Sequence, residues 1–581
     1  MVAWRYGLAG LLFACGCAAA VFSTRQAHAR VRVPTELHVL QQVDGALAAG
    51  QRHSYRLPLA QRDCAFGVVQ RADAALTLRV LRPSSQATGT DAARVSRTLR
   101  SFTGEAGQPL EFELCVEPAG DYELEIALAP DTRPPSPHPT TAAVRYGLLL
   151  ERILSRATRS APTRPVQRVV SPRLRDLDLA LRTDEHAERE FWREIDQSGT
   201  PLVETLDAER ALVTFLYRGD PPVHGVSVSW PLYSEAFALN ELQRLQTSDV
   251  WWLSVELPKA TRLSYQLVID PPQLTEADQH LRERIDRAVA RADPRNRQVM
   301  SADPQLDAYR QRSVVALPLA PPELASVTTP VPHGRLERQR FHSPSLDASY
   351  PLTIYLPPGV TPRSKGTLYP LLIVFDGEQY LSPMETPALL DRLTAQHEIT
   401  TPITVFVHNS GPETRSHDLP CNARFAQFVA RELLPYVRER YPVSRDPKRV
   451  GLLGASFGGL ASTYIAFSYP ELFGKVLSQS GSYWWTPARG DAAYDGSGEP
   501  GWLRRRFEEK KALPLALYMS AGSFETFVDG RGILQQSRLM RDSLRALGYS
   551  IAYQEFVGGH DVLAWRATLP EAIRALFPPG S

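Results

Sequence analysis

Hydrophobic and polar positions follow three different patterns along this chain. In residues 30–150, short stretches alternate apolar and polar side chains and are punctuated by Gly, Pro and Asp. These stretches are Ser54–Leu59, Ala75–Leu81, Leu110–Val116 and Asp121–Leu128. Because alternation with period two places one face of a strand in a core, the pattern predicts a small β-sandwich domain at 30–150. Residues 151–184 are rich in arginine and weakly patterned, which indicates a linker.

The second pattern begins with a helical segment at Glu185–Gln197 and continues as a new series of strands. The predicted strands are Leu212–Tyr217, Gly225–Trp230, Val250–Leu257 and Arg262–Val268. Together they predict a second β-sandwich-like domain at 185–300. From Asp293 to Leu317 the chain is polar with isolated apolar residues, so we expect residues 301–335 to form an irregular connection.

The third pattern covers residues 336–581, where short, wholly apolar runs alternate with helical periods. The runs are Leu352–Leu356, Leu371–Phe375, Thr404–Val407, Val450–Leu453, Val476–Ser480, Leu515–Ser520 and Ile551–Phe556. Apolar strands separated by helices are typical of a parallel sheet that is buried on both faces. We therefore predict a multidomain protein in which two β-sandwich-like domains precede a C-terminal α/β domain.

The N-terminus and the composition indicate where the protein works. Arg5, the apolar run Leu8–Phe22 and the small residues around Ala29 are typical of a signal peptide at 1–29, which predicts a periplasmic protein. A lipoprotein acylated at Cys15 is the alternative. Beyond the signal, no run reaches the ~18 apolar residues that span a bilayer. The net charge of +2 gives no reason to expect nucleic acid as a partner.

Removal of the signal leaves the cysteines Cys64, Cys115 and Cys421. The first two fall in strand-like stretches of the first domain and can pair as a disulfide, because an exported chain can be oxidised. Cys421 is expected to be a buried or unreactive thiol. The histidines are scattered and no Cys/His spacing resembles a zinc site, so we expect neither a metal nor a cofactor.

The residues from Gly454 to Gly458 match the pattern G-x-S-x-G. The apolar strand Val450–Leu453 precedes the motif, and apolar residues at helical spacing follow it. This strand–turn–helix context exposes the nucleophilic serine of α/β-hydrolases. We therefore predict an α/β-hydrolase domain with Ser456 as the nucleophile. The alternative is a strand–helix turn in which glycine serves packing alone.

A serine hydroxyl needs a general base, and on this fold the chain order is serine, acid, histidine. His560 is the sole histidine downstream of Ser456, and it follows the last predicted strand. The acid should follow the strand before that one, where Glu525 is the first choice and Asp529 the reserve. Asp561 adjoins the base, and we expect a structural role for it.

Acyl transfer also needs hydrogen-bond donors for the developing oxyanion, each worth about 3–4 kcal/mol. The backbone N–H of Phe457, directly after the nucleophile, is one candidate. The loop that follows the strand Leu371–Phe375 should supply the other, for which the N–H of Glu378 is the candidate. In both cases the backbone rather than the side chain performs the role.

Further motifs accompany the elbow and extend into the second domain. The C-terminal stretches are Phe375–Glu378, Phe428–Tyr441, Gly454–Leu460, Leu477–Trp485, Gly558–Asp561 and Trp565–Arg566. The stretches of the second domain are Phe191–Trp192, Gly199–Leu202, Ser248–Trp251 and Thr261–Gln266. This combination resembles the enterochelin (enterobactin) esterases, also called ferric-siderophore esterases. The resemblance implies that Ser456 attacks an ester of a ferric catecholate trilactone such as enterobactin, which releases iron.

The resemblance also implies substrate contacts. It places Trp484 and Trp485 near the site, with core packing as the alternative. It gives Arg415 a substrate-facing role, because the ferric complex is anionic; a solvated loop arginine is the alternative. The implied partner is a small-molecule ferric siderophore.

The sequence departs from that family in its export signal, in its additional N-terminal domain and at Asn409–Pro412, where relatives have a more acidic loop. Three alternatives therefore stay open: a general carboxylesterase, an acyltransferase of the mycolyltransferase kind, and a binding protein that has kept the fold. In the first domain, Ala49–Tyr55, Phe66–Val69 and Ala119–Tyr122 resemble the bacterial pre-peptidase C-terminal type of β-domain. Members of that type are exported accessory modules, so this resemblance implies no chemistry.

Overall fold

The computed structural model describes residues 34–580, apart from 71, 73, 84–95, 105–108, 130–142, 157–167, 220–222, 230–239, 273–278, 301–306, 322–330, 363–365, 411, 488–498 and 527–531. The predicted signal peptide at 1–29, with Cys15, lies outside the described residues, and so does Asp529. Within the described residues, no helix combines the length and the apolar character needed to cross a membrane.

The first domain consists of two sheets that enclose one apolar core. The five-stranded sheet contains, in spatial order, Thr35–Glu36, Arg52–Leu59, Gly120–Leu128, Leu76–Pro83 and Ser96–Gly104. The four-stranded sheet contains Gln42–Leu47, Val144–Ser155, Asp63–Gln70 and Leu110–Cys115. Side chains from both sheets, such as Leu57, Leu124 and Leu148, are fully buried between them, as the period-two pattern predicts.

The predicted end of this domain at residue 150 is wrong. The strand Val144–Ser155 continues five residues further, and its last residue pairs with Asp63 of the neighbouring strand. The polar residues Glu151 and Arg152 interrupt the apolar alternation, so the end of the strand resembled a linker in the sequence pattern.

Cys64 and Cys115 form a disulfide, which confirms the predicted pairing. They stand opposite each other on adjacent antiparallel strands. Cys421 is a buried free thiol in the C-terminal domain. Its burial raises the pKa of the thiol well above the ordinary value, so the thiol stays protonated and unreactive.

The second domain also contains two sheets around an apolar core. One sheet contains, in spatial order, Leu202–Thr205, Arg210–Arg218, Val250–Pro258 and Gln243–Arg244. The other contains Val226–Ser229, Arg262–Ile269 and Ala290–Arg291, and Ser313–Ala316 also pairs with Arg262–Ile269. The predicted boundary at residue 300 is therefore wrong, because a strand of this domain lies in the supposed connection 301–335. That strand has only four residues, which are too few to give a periodic signal, and it lies in a polar stretch.

Three helices complete the second domain. Pro172–Ala180 lies within the stretch 151–184 that the sequence analysis assigned to a linker, and it begins after the capping residue Ser171. Ala187–Ser198 agrees with the predicted helix, and its Phe191 and Trp192 pack with the first helix against one sheet. The third helix, Gln279–Val289, packs on the first domain instead.

The contact with the first domain is both apolar and charged. Leu281 and Ile285 of the third helix form a cluster with Phe66 of the first domain. Arg284 is 5% exposed and donates hydrogen bonds to the carbonyl of Gly67 at 2.9 Å and to the carboxylate of Glu151 at 2.6 Å. A buried arginine with these partners fixes the relative position of the two domains.

The C-terminal domain is built on one eight-stranded sheet. Its strands are, in spatial order, Arg335–Ser343, Ala348–Leu356, Ile403–Val407, Leu371–Val374, Val450–Ala455, Lys475–Gln479, Ala516–Gly522 and Ser550–Phe556. The first two strands run antiparallel to their neighbours, and the remaining pairs are parallel. Large apolar clusters that include both faces of the sheet confirm the predicted α/β domain.

Helices cover the two faces of this sheet. They are Gly377–Leu381, Thr386–Ala395, Pro412–Asp418, Ala423–Phe428, Leu434–Arg440, Phe457–Ser468, Trp502–Glu508, Ile533–Ala546 and Val562–Leu576. A π-helical turn at Val429–Leu433 joins the fourth and fifth of these into one continuous segment. That segment buries Phe425, Phe428, Val429, Leu433 and Val437 in the main apolar core.

Candidate active site

Ser456 lies on a sharp turn between the strand Val450–Ala455 and the helix Phe457–Ser468. Its φ of 57° and ψ of −122° are a strained combination for a residue with a side chain. The turn requires glycine at position 454, because a Cβ there would lie 2.3 Å from the backbone carbon of Gly458. The local geometry is thus that of a nucleophile elbow.

Glu525 and His560 form a close pair. Nδ1 of His560 lies 2.6 Å from one carboxylate oxygen of Glu525, and the other oxygen accepts the N–H of Gly522 at 2.6 Å. The Glu525 side chain is fully buried. The two loops are also joined by the N–H of Phe524, which donates to the carbonyl of Gly558 at 3.0 Å. The structure therefore gives the predicted base the predicted acid as its partner.

The three residues share one edge of the sheet. Ser456, Glu525 and His560 each follow the carboxyl end of a parallel strand, and the carboxyl ends of parallel strands meet at the same edge. Trp565 connects the base to the elbow: its ring meets the His560 imidazole edge-on at 4.8 Å, and its Nε1 donates to Ser480 Oγ at 2.8 Å.

Ser480 directly follows the strand that supports the elbow. The carbonyl of the preceding residue, Gln479, accepts the N–H of Ser456 at 2.9 Å. Two residues further on, Ser482 Oγ lies 3.3 Å from Ser456 Oγ, and the N–H of Ser482 donates to the carbonyl of Ser456 at 3.1 Å. The segment 479–482 therefore contacts both the backbone and the side chain of Ser456.

The candidate oxyanion loop is held by a buried carboxylate, Asp376. Its φ of 53° turns the chain from the strand Leu371–Val374 into the short helix that contains Glu378. Arg415 forms a bidentate ion pair with Asp376, at 2.7 and 2.8 Å, and Asn409 donates a further hydrogen bond at 2.8 Å. Because Asp376 is 1% exposed, these bonds compensate the cost of burying its charge.

Arg415 is held in place by this ion pair. Burial alone would lower the pKa of Arg415, but its hydrogen bonds to Asp376 raise it, so the guanidinium stays charged. The guanidinium carbon lies 5.7 Å from the centre of the Phe457 ring, beside the nucleophile. The solvated loop arginine is the wrong alternative, since two hydrogen bonds anchor this side chain at the site.

The carboxylate of Glu378 is half-exposed and has two polar neighbours. Asn409 donates to it at 2.9 Å, and Nδ1 of His408 lies 3.4 Å away. Burial would raise the pKa of Glu378, but hydrogen bonds from His408 and from the N–H of Glu378 itself lower it. The backbone donor expected at the oxyanion therefore has a competing acceptor in its own side chain.

The two tryptophans occupy different surroundings. Trp484 is half-buried, and its ring centre lies 5.8 Å from that of Phe457. Trp485 stands edge-on to Trp502 at 5.7 Å and packs against the main core. The structure thus brings Trp484 next to the elbow and places Trp485 mainly in core packing.

Sequence reasoning missed the residues that hold the site. Asp376 lies in one of the motifs that carry the resemblance, and an acidic residue in a predicted loop with a nearby arginine was the signal that could have indicated the ion pair. Ser482 stands in an unusual run of small residues after a strand, which was the available signal. Asp561 accepts from Ser264 in the second domain, and no local pattern could indicate that pairing.

Comparison with known proteins identifies the family of this chain. Family models match at residues 343–576, for esterases, and at 212–326, for the N-terminal domain of enterochelin esterase. The iron(III) enterobactin esterase of Dickeya dadantii is 30% identical over 426 residues, which are 68% of this chain and 94% of that protein. The chain belongs to the iron(III) enterobactin esterase family. It is accordingly a carboxylic ester hydrolase.

Solved structures of the family support the fold. The ferric enterobactin esterase from Salmonella typhimurium is 27% identical and covers 67% of this chain and 98% of its own, with a TM-score of 0.54. The enterobactin esterase from Shigella flexneri in the presence of enterobactin has a TM-score of 0.53 at 27% identity, and covers 67% of this chain and 97% of its own. The β-domain at the N-terminus of this esterase lies outside both ranges matched by the family models.

Proposed function

We propose that this esterase hydrolyses the ester bonds of a ferric catecholate siderophore of the enterobactin type. The observation that carries the proposal is the 2.6 Å contact between His560 Nδ1 and the buried carboxylate of Glu525. Both residues follow parallel strands of the sheet that also carries the Ser456 elbow, in a chain of this family. The relatives named above act on, or were crystallised with, enterobactin. The substrate is therefore a cyclic or linear ester of catecholate units, with iron as its cargo.

The proposed chemistry proceeds through an acyl-enzyme. His560 Nε2 accepts the proton of Ser456 Oγ while that oxygen bonds to the ester carbonyl carbon. Glu525 holds Nδ1–H and stabilises the imidazolium. The protonated imidazole then passes its proton to the departing alkoxide as the C–O bond breaks. Water, deprotonated by His560, releases the acyl group from Ser456 and restores the enzyme.

The backbone N–H groups of Phe457 and Glu378 are the proposed donors to the oxyanion. Arg415 and Asp376 fix the loop that carries the second donor, and Arg415 retains its proposed contact with an anionic substrate. Trp484 is proposed to contact a catechol ring, because it lies over Phe457 beside the nucleophile. Trp485 has the weaker case for such a contact, since it packs against Trp502.

The test compares two substrates on one enzyme. The purified mature protein is incubated with ferric enterobactin and, separately, with an aryl acetate, and products are followed by mass. We expect cleavage of the trilactone to linear and monomeric products, and loss of both activities in Ser456→Ala. Turnover of the acetate without cleavage of the trilactone would contradict the proposal that the substrate is a siderophore of the enterobactin type. Transfer of the acyl group to an added sugar would instead favour an acyltransferase.

We also propose that the protein is exported to the periplasm and that its N-terminal β-domain is an accessory module of the pre-peptidase C-terminal type. The disulfide Cys64–Cys115 supports an oxidising compartment. N-terminal sequencing of the mature protein from a periplasmic fraction should begin at Arg30. An acylated N-terminus at Cys15 would establish the lipoprotein alternative.

A further inference from the structure

Asp561 directly follows the base, and its carboxylate is buried between two domains. One oxygen accepts the backbone N–H of Ser264 at 2.5 Å, and the other accepts Ser264 Oγ at 3.0 Å. The second oxygen also accepts the N–H of Leu563 at 3.1 Å and so caps the helix Val562–Leu576. Asp561 is 6% exposed, so all of these bonds form away from solvent.

The strand pairing in the second domain explains why the N–H of Ser264 bonds to a side chain. Along one side, the strand Arg262–Ile269 pairs with Ser313–Ala316 at residues 262–265. Along the other side, it pairs with Val226–Ser229 only at residues 266–269. Ser264 is fully buried, and a buried N–H needs a partner. The carboxylate of Asp561 takes the place of a neighbouring strand at this position.

A cation completes the contact. Nε of Arg312 donates to Ser264 Oγ at 2.7 Å, and its Nη1 donates to the side-chain oxygen of Gln266 at 3.2 Å. Burial lowers the pKa of Arg312, and the charge of Asp561 opposes that effect. Asp561, Ser264 and Arg312 therefore form one polar chain that crosses from the C-terminal domain into the second domain.

The acid loop touches the same domain. Phe524, which precedes Glu525, packs against the apolar core of the second domain. Both loops that carry the base–acid pair thus end in contact with the second domain, at Phe524 on one side and at Asp561 on the other. A shift of the second domain would move the two loops that set the 2.6 Å contact between His560 and Glu525.

We propose that Asp561 is a positioning residue that, through Ser264, makes the geometry of His560 depend on the second domain. This inference rests on the proposed roles of Ser456, His560 and Glu525. The second domain then contributes to catalysis by positioning the base. Asp561 takes no proton in the reaction; it fixes the loop from which the imidazole projects.

The test uses the full-length protein with two variants of this contact. Asp561→Asn keeps a residue that caps helices well but removes the charge, and Ser264→Ala removes only the hydroxyl. The matched control is Asp446→Ala, which deletes another capping carboxylate of the same domain, bonded to the N–H of Lys448 at 3.0 Å. Steady-state hydrolysis of an aryl acetate gives kcat and KM, and thermal melts report folding.

We expect kcat to fall on the order of ten- to a hundredfold in both variants with little change in KM, because a small misplacement of a catalytic group has such an effect. Ser264→Ala should show the smaller loss, because the backbone N–H of residue 264 still donates to Asp561. The Asp561→Asn/Ser264→Ala double variant should lose little more than Asp561→Asn alone, since both substitutions weaken the same contact. Asp446→Ala should keep the parental kcat. The low-field proton resonance of the His560–Glu525 hydrogen bond should shift or broaden in both single variants and not in the control.

A parental kcat and an unchanged resonance in folded Asp561→Asn and Ser264→Ala would overturn the inference. Equal losses in the Asp446→Ala control would also overturn it, because the effect would then be one of helix capping. If Ser456→Ala retained activity, the proposed function itself would fail, and that result is separate from the behaviour of Asp561 and Ser264.

Discussion

Two buried aspartates hold loops of the candidate active site, and their partners belong to different domains. Asp376, on the oxyanion side, is bound by Arg415 and Asn409, which belong to its own domain. Asp561, on the base side, is bound by Ser264 of the second domain. The oxyanion side is therefore complete within the α/β domain, whereas the base side depends on a neighbour. The second domain can therefore influence proton transfer by the base, but in the described part of the chain it has no such contact with the loop that carries the oxyanion donor.

The largest effect is expected on the base side, at the acid itself. Glu525→Gln keeps the shape of the side chain but no longer holds the imidazole in the required tautomer. We expect kcat for an aryl acetate to fall by about 10⁴-fold, as for the acid of a serine triad. A loss of less than tenfold would show that another carboxylate, such as Asp529, supplies the acid.

The next effect is expected on the oxyanion side. Asp376→Asn replaces the bidentate partner of Arg415 and loosens the loop that carries the N–H of Glu378. We expect kcat to fall by about 10²-fold, at the lower end of the loss of one oxyanion donor. Arg415→Gln should give a similar loss, and the double variant should lose little more. Unchanged kinetics in Asp376→Asn would show that the Asp376–Arg415 ion pair does not position the oxyanion donor.

Combining variants from the two sides tests whether they are independent. Asp376→Asn and Ser264→Ala change contacts that share no residue, so their effects on the activation free energy should add within about 0.5 kcal/mol. The measurement is a double-mutant cycle on kcat for the aryl acetate. A coupling well above that value would mean that the two sides of the serine form one network.

The first domain should affect stability and not catalysis. Arg284→Ala leaves the carbonyl of Gly67 and the carboxylate of Glu151 without this partner, which should lower the free energy of unfolding by about 3 kcal/mol. The control is Arg182→Ala in the second domain, whose side chain is 62% exposed and whose ion pair with Asp178 should contribute at most about 1 kcal/mol. The apparent Tm should fall in the first variant only, with kcat parental in both.

The smallest effect is expected for the side chain of Glu378. Glu378→Gln keeps the backbone donor and replaces only the carboxylate that competes for it. We expect kcat to change by no more than about threefold, since the donor to the oxyanion is the main chain. A loss comparable to that of Asp376→Asn would assign the role to the carboxylate instead.

The sequence was sufficient for the parts of the site that follow from local geometry. The turn at Ser456, the position of His560 after the last strand and the choice of Glu525 all depend on strand ends, and a parallel sheet brings those ends together. The Cys64–Cys115 pair followed from two strand-like stretches and an export signal. These features require only periodicity, motif and chain order.

The remainder depends on contacts between segments that are distant in the chain. Ser264 and Asp561 are 297 residues apart, and neither stands in a motif that suggests the other. The ion pair of Arg415 with Asp376 was not predicted, because the two residues lie in different segments of the chain. The domain boundaries at 150 and 300 were wrong because the strand ends there are polar or short. Tertiary pairing decides such positions, and local pattern does not.

The most direct test of the account is the identity of the covalent intermediate. The enzyme is quenched in acid during turnover of ferric enterobactin, and intact-mass and peptide analysis locate the acyl group. Because the alkoxide released from a cyclic ester stays attached to the acyl group, we expect the first acyl-enzyme to carry the ring-opened trimer on Ser456. This adduct should be absent from Ser456→Ala. An acyl group on another residue, or turnover that persists in Ser456→Ala, would contradict the central claim.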